Sequence, residues 1–318
     1  MRQKKLFRIF ILIIFIFNIF FISTNKKVLN SESYFDIGNG AWVHIETFQN
    51  VSDLETIDLV NFFVERDIKN VFFLAKYVDG ELLYKKYKDT LTRIVKIFKN
   101  YGINVHFYIP ISYDPLYLKN NPQDATFLSP NKNNTNPYRD PELKVVSSSS
   151  DKYLNYIKNI VKELIYDFNA DGIQLDYIRY PNINYGYEDK VKSRFIELGG
   201  DWNKILNIFR KGQNIFELYD QKDKDVLLLG RVRSEFVTNF TGEIKSFISS
   251  ISSNILFSVT LIQSASSFLS YKEGGIDSYP YGFLHFGQDY TELSNFCDFV
   301  CPLAYHKNYN KSVEWIRE

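Results

Sequence analysis

From Gly40 onward, alternating or continuous apolar runs trade places with stretches whose apolar residues recur every three to four positions. The runs at 41–47 (AWVHIET), 70–77 (NVFFLAKY), 103–111 (INVHFYIPI), 173–176 (IQLD), 254–264 (NILFSVTLIQS) and 297–306 (CDFVCPLAYH) predict six strands. Between them the spacing predicts helices starting at the capping-box sequence Ser52-Asp53-Leu54-Glu55 and running to about Arg66, then over 88–100, 150–168 and 234–250, with a short one at 290–296. A last helix is expected from Ser312. Strands alternating with helices, with few hairpin signals, imply a parallel sheet in an α/β fold. The closed solution is a (β/α)8 TIM barrel, which takes about 250 residues. The length fits and the strand count does not. Either strands lie unrecognised in the long insertions at 112–150 and 182–229, or the barrel is incomplete at its C-terminus.

The stretch that breaks the pattern is Asp171–Pro181, DGIQLDYIRYP. It follows a turn at 169–172 and alternates, so that Ile173 and Leu175 share one face and Gln174 and Asp176 the other. A strand between two helices is expected to be buried on both sides. Two polar groups on one face, followed by Tyr177, Arg179 and Tyr180, do not look like plain core, and Pro181 is expected to end the pairing. One explanation is a buried Asp176 held by an Arg for structure alone. The other is an active-site carboxylate at the C-terminal end of a parallel strand.

DGIQLDYIRYP resembles the signature strand of glycoside-hydrolase-like TIM barrels, a group of glycosyl-hydrolase-like domains. The segments GRVRSEFVTNF (230–240) and FGQDYTELSNFCDFVCPLAYH (286–306) resemble the same group and keep its order. The resemblance implies a barrel fold and makes Asp176 the candidate catalytic residue. It ends at the sixth strand, which favours the incomplete barrel. A chitinase mechanism is disfavoured, because Gln174 and Ile178 stand where the chitinase pattern has an Asp and the acid Glu.

Catalytic groups of such barrels sit at strand C-termini. That brings Glu46, Tyr108, Asp176, Arg179, Gln263, Tyr305 and His306 toward one mouth, with His44, Gln174 and Tyr180 as further substrate contacts. Glycoside hydrolysis needs two carboxylates; the partner of Asp176 is either Glu46, ending the first strand, or Glu235, in the second resembling segment. Arg179 is expected to pair with a carboxylate or hold a substrate oxygen, lowering the Asp176 pKa and suiting an ionised nucleophile. His44, His106 and His306 could join Glu46 and Asp176 as a metal set, although lone histidines are more often pocket residues; no cofactor is expected.

The N-terminus changes the picture of location. Arg2, Lys4, Lys5 and Arg8 precede an apolar run, 9–22, so residues 1–27 are expected to be a signal peptide or N-terminal membrane anchor, with 28–39 a linker and 40–318 the barrel domain outside the cytoplasm. No A-x-A-like cleavage site follows the run. With 38 basic against 37 acidic residues there is no global field suited to nucleic acid. Cys297 and Cys301, four residues apart on one strand, stand about 13 Å from each other, too far for a disulfide, and are expected to be unpaired apolar fillers. Three functions fit: a glycoside hydrolase acting on a polysaccharide; a non-catalytic glycan-binding or cell-envelope protein on a degenerate barrel; and a metal-dependent hydrolase. Carbohydrate is the expected partner, with the membrane a second one if the N-terminal segment stays uncleaved.

Overall fold

The computed structural model describes residues 38–262, 282–303 and Ser312, together with the backbone of Ile16 and Phe17. Six parallel strands run in sequence order across one sheet: β1 (Asn39–Val43), β2 (Ile68–Leu74), β3 (Asn104–Pro110), β4 (Gly172–Asp176), β5 (Leu256–Ile262) and β6 (Phe299–Leu303). The pair Ile16–Phe17 adds antiparallel to the outer edge of β1; the rest of the expected N-terminal targeting segment lies outside the described residues, as do Gln263, Tyr305, His306 and the expected C-terminal helix. No helix among the described residues is long and apolar enough to cross a membrane.

Each strand sends alternate residues to opposite faces. The outer face, including Val71, Phe73, Val105, Phe107, Ile173, Leu175, Phe257 and Val259, is buried. It packs on the apolar stripes of α1 (Asp53–Val64), α2 (Lys88–Asn100), α3 (Asp151–Phe168) and α7 (Lys224–Ile251). Phe98 of α2 meets Phe73 edge-on at 5.6 Å, and Phe168 of α3 lies 5.9 Å from Phe107. The expected capping box at Ser52 and Glu55 is formed in full.

The inner face shows that the sheet is curled. Trp42 Nε1 on β1 donates to Gln174 Oε1 on β4 at 3.0 Å. Three strand positions would separate them by about 14 Å in a flat sheet. Phe72 on β2 and Phe299 on β6, four positions apart, have ring centroids 6.5 Å apart. The fold is therefore an α/β half-barrel of six parallel strands wrapped around a filled lumen, as an incomplete TIM barrel requires.

Residues 182–229 form α4 (Asp189–Glu197), α5 (Trp202–Arg210) and α6 (Ile215–Asp220), which with the start of α7 enclose a second apolar core around Phe195, Trp202, Ile205 and Leu229. The insertion thus packs on itself. The expected helix at 234–250 begins ten residues earlier, at Lys224, where the Asp223 side chain caps Asp225 N and Val226 N. The 112–150 segment is largely fixed by its own hydrogen bonds: Asp114 caps a short helix at 115–120, and Asp140 accepts from the amides of Glu142, Lys144 and Val145.

One expected boundary moves, and another has a different cause. The first strand stops at Val43 and Glu46 sits in a 3-10 turn, Ile45–Phe48, because Thr47 and Gln49 donate back to His44 O and Glu46 O. The fourth strand ends at Asp176, as expected, but what stops the pairing is Tyr177 rather than Pro181: it adopts a left-handed φ of 49° and turns the chain off the sheet.

Candidate active site

Asp176 ends a central strand on its inner face, and its surroundings hold it there. The Thr260 hydroxyl of β5 donates to Oδ1, which also accepts from Tyr177 N at 2.8 Å. The turn that follows is clamped to neighbouring elements. Ile111 N donates to Asp176 O at 2.9 Å, and the Ser112 hydroxyl reaches both Tyr177 O and Arg179 O. Gln288 is fully buried and ties the turn to β5, donating to Ile178 O and Thr260 O, both at 3.2 Å, and accepting from Ile262 N at 3.0 Å. These contacts support a left-handed tyrosine, a conformation uncommon outside glycine and asparagine, directly beside the carboxylate.

The carboxylate of Asp176 is held above the usual aspartate range. Desolvation is the largest cause, opposed by the Thr260 hydroxyl, the Arg179 charge and the Tyr177 amide. This corrects the expected lowering by Arg179: the cation is near enough to be felt, yet the dry floor of the lumen wins. Arg179 makes no ion pair with Asp176; its guanidinium lies over the Tyr177 ring at 4.4 Å and 5.9 Å from that of Phe286. Tyr113 meets Tyr177 edge-on at 5.8 Å, so aromatic rings flank the cation.

Glu46 stands past the C-terminal end of β1. Its Oε1 accepts from the Tyr77 hydroxyl, with His44 Nδ1 at 3.6 Å, and its Oε2 is enclosed with no hydrogen-bond partner. Burial, then the bond to Glu46, pushes the Tyr77 phenol up. Glu235, the other candidate acid, lies on α7 and accepts from Arg194 Nε of α4 at 3.0 and 3.2 Å. That is an ion pair between helices outside the sheet, so of the two candidates only Glu46 shares the strand-end level with Asp176.

Three expected substrate contacts serve the core. Gln174 is fully buried one layer below Asp176; it accepts from Trp42 and donates to Ser258 Oγ and Cys301 Sγ, both at 3.2 Å, leaving no donor for a ligand. Tyr108 pairs in register with Gln174 and is buried at the same level. Tyr180 is buried, its ring 4.4 Å from the Arg233 guanidinium. Arg233 itself donates to Leu284 O, and to Asn182 O and Tyr185 O at 2.9 Å, so it binds the turn after β4 to α7.

Of the alternative metal set, His306 lies outside the described residues and His106 stands apart from Asp176. His106 pairs in register with Gly172, four residues before Asp176 on β4, which places it about 13 Å lower in the lumen. Its Nε2 is 3.0 Å from Asn70 Oδ1, and burial lowers its pKa to about 4. Among the described residues no group of three or more His, Cys, Asp or Glu side chains could hold a metal ion. Neither Cys297 nor Cys301 forms a disulfide and both are buried, as expected, and burial pushes the Cys301 thiol up to about 12.

Sequence reasoning missed Thr260, Tyr77, Tyr113 and Gln288. Only Gln288 carried a signal, since it falls in the FGQDY segment.

No family model matches the sequence, and no curated protein matches it. Among solved structures it is similar to a hypothetical protein from Ruminiclostridium thermocellum ATCC 27405 (19% identity, TM-score 0.37, covering 53% of this chain and 87% of that one). It is also similar to alpha-L-fucosidase isoenzyme 2 from Paenibacillus thiaminolyticus (16%, 0.46, covering 69% of this chain and 32% of that one). A third is the beta-galactosidase from the psychrophilic Marinomonas ef1 (12%, 0.47, covering 70% and 37%). The chain thus spans about a third of the length of the two named enzymes. At these identities and scores the similarity says nothing about the chemistry of this chain.

Proposed function

We propose that this chain is a glycoside hydrolase acting on a polysaccharide outside the cytoplasm, with Asp176 as the acid/base and Glu46 as the second carboxylate. The observation that carries the reading is the Asp176 carboxylate itself. It is aimed along the inner face at the exit end of a central parallel strand, fixed by Thr260 and Tyr177, with its pKa raised by desolvation. A carboxylic acid whose desolvation makes it hold its proton more tightly than a free aspartic acid is suited to protonating a leaving glycosidic oxygen, and the conjugate base is suited to activating a water. Glu46 accepts a hydrogen bond at one oxygen only. That suits a carboxylate that attacks the anomeric carbon or draws a proton from the attacking water. The half-buried Tyr113 ring beside Tyr177 offers an apolar surface against which a sugar can pack. Export of the barrel rests on the basic-then-apolar N-terminal segment.

The test is reducing-end release from a panel of polysaccharides by the purified full chain. We expect turnover by the wild type on at least one substrate, and a loss of about 10²–10⁴-fold in Asp176→Asn with its thermal transition retained. Wild-type protein that binds a glycan and releases no product from any of them overturns the hydrolase reading, as does an Asp176→Asn variant that turns over normally.

A further inference from the structure

Three cations are enclosed among the described residues, and the protein treats one of them differently. Lys76 has Asp114 at 3.2 Å and donates to Tyr113 O at 2.9 Å. Arg233 spends its two terminal nitrogens on backbone carbonyls. Arg179, with 9% of its surface exposed, donates no side-chain hydrogen bond and makes no ion pair, and its Nη1 is sealed from solvent with no partner. A guanidinium is a rigid fork of five N–H donors that cannot shed its charge. Enclosing one without an acceptor is costly, and such groups persist where something other than the protein completes them.

The surroundings narrow what that is. The guanidinium lies over the Tyr177 ring at 4.4 Å and 5.9 Å from that of Phe286, so its nearest neighbours are aromatic rings that supply no hydrogen-bond acceptor for its N–H groups. Its backbone is locked by Ser112, whose hydroxyl accepts from Arg179 N at 3.3 Å. Among the described residues Asp176 feels its charge, and that carboxylate is hydrogen-bonded by Thr260 and Tyr177 instead. A planar guanidinium matches a carboxylate in a two-point bond. We propose that Arg179 is the docking point for the carboxylate of an acidic sugar, so that the substrate class is a uronate-containing glycan. The assignment rests on the glycan-binding site proposed above. It adds that the residue beside the acid/base selects charge as well as shape.

The experiment measures binding by calorimetry on the full chain. The probes are short oligosaccharides of galacturonate and of glucuronate, the same oligosaccharides with carboxyls reduced to primary alcohols, and oligosaccharides of uncharged sugar units carrying O-sulfates. We expect at least one uronate oligomer to bind about tenfold or more tightly than its reduced counterpart. That preference should vanish in Arg179→Gln and return in part in Arg179→Lys, which keeps a point charge and loses the fork. Equal binding of acidic and reduced oligomers, binding of none of the probes, or a preference that survives in Arg179→Gln overturns the assignment. A stronger preference for sulfate than for carboxylate overturns it too. The wild-type comparison decides even if a variant fails to fold. Uronate-selective binding with no product release would retain the docking site and remove the hydrolase reading alone.

Discussion

The buried pair Lys76–Asp114 anchors the segment that frames the site, and its removal has a calculable cost. Both side chains are 0% exposed, with Nζ and Oδ2 at 3.2 Å. Asp114 also accepts from Tyr117 N at 2.9 Å and from the Tyr153 hydroxyl at 3.3 Å, and Lys76 donates to the carbonyl of Tyr113, whose ring packs on Tyr177. Asp114→Asn preserves shape and cap acceptor while removing the charge, stranding an enclosed ammonium. The expected loss is about 3–5 kcal/mol, a large share of a typical total of about 5–15 kcal/mol. Lys76→Met strands the carboxylate instead and should cost a similar amount. The double variant buries no charge and should cost less than either single change, so the cycle should show a coupling of a few kcal/mol. The pH dependence has a definite sign. Burial already holds Lys76 below the ordinary lysine value, with Asp114 pulling it back up. Without Asp114 it falls further, so the unfolded chain binds more protons than the folded one over a wider range below the unfolded lysine pKa. Stability then rises with pH through that range, and the Asp114→Asn deficit should shrink between pH 7 and pH 9.5. Urea denaturation followed by circular dichroism at both pH values reads all of this. Single variants that each cost under about 1 kcal/mol, or a double variant as costly as their sum, would refute the reasoning.

Other consequences are sharper in place than in size. At Gly172 an added Cβ would lie 2.0 Å from His106 Nδ1, so Gly172→Ala should destabilise by about 1–3 kcal/mol or more, seen as a lowered urea midpoint; an unchanged midpoint would show that the lumen is looser than its contacts imply. His106 is lowered from 6.5 to about 4 by burial. It therefore contributes stability that is present above its unfolded pKa and lost as pH falls toward 4, up to roughly 3 kcal/mol. Between those limits His106→Gln should flatten the stability-versus-pH slope by up to about one proton, and a slope identical to wild type would sink that assignment. Arg233→Met orphans the carbonyls of Asn182, Tyr185 and Leu284 and should cost about 3 kcal/mol or more, with Arg233→Lys recovering only part; a near-neutral thermal shift would refute its role as the clamp between α7 and the β4 turn.

Much of the fold was legible because burial on the outer face obeys the two periodicities. Phe73, Phe107 and Leu175 alternate along strands, and Leu91, Ile94, Val95 and Phe98 repeat along a helix. What alternation cannot show is where backbone geometry overrides it. IQLD shows that the strand reaches Asp176, but not that the chain then leaves the sheet at Tyr177, before Pro181, in a left-handed turn supported by Ser112, sixty-five residues away in sequence. AWVHIET alternates through Glu46, yet a 3-10 turn takes over after Val43. Long-range partners were equally out of reach. Nothing local to Gln174 says that Trp42 faces it, and the reading of it as a substrate contact failed for that reason. The pKa of Asp176 was misjudged because Arg179 is visible in the sequence and the dryness beneath the carboxylate is not.

That dryness follows from how the sheet is curled. Eight strands normally close a barrel whose interior is packed with side chains; here, among the described residues, six parallel strands curl around large residues that span the lumen. Trp42 stacks on Phe72 at 4.8 Å, Phe72 on His106 at 4.6 Å, and Phe299 meets both from the far side. Gln174 then bonds to Trp42, Ser258 and Cys301 and so ties β4 to β1, β5 and β6. This plug lies directly below Asp176 on the same face of β4. With apolar and already-bonded groups beneath it, the carboxylate is stabilised among the described residues by Thr260, the Arg179 charge and Tyr177. The acid's proton affinity is thus set by core packing, so thinning the plug with Phe72→Ala should let water in and lower the Asp176 pKa while Thr260 and Arg179 stay in place. Carboxyl-carbon NMR titration of the variant against wild type measures that shift, and an unchanged Asp176 titration would mean that the mouth, and not the plug, governs it.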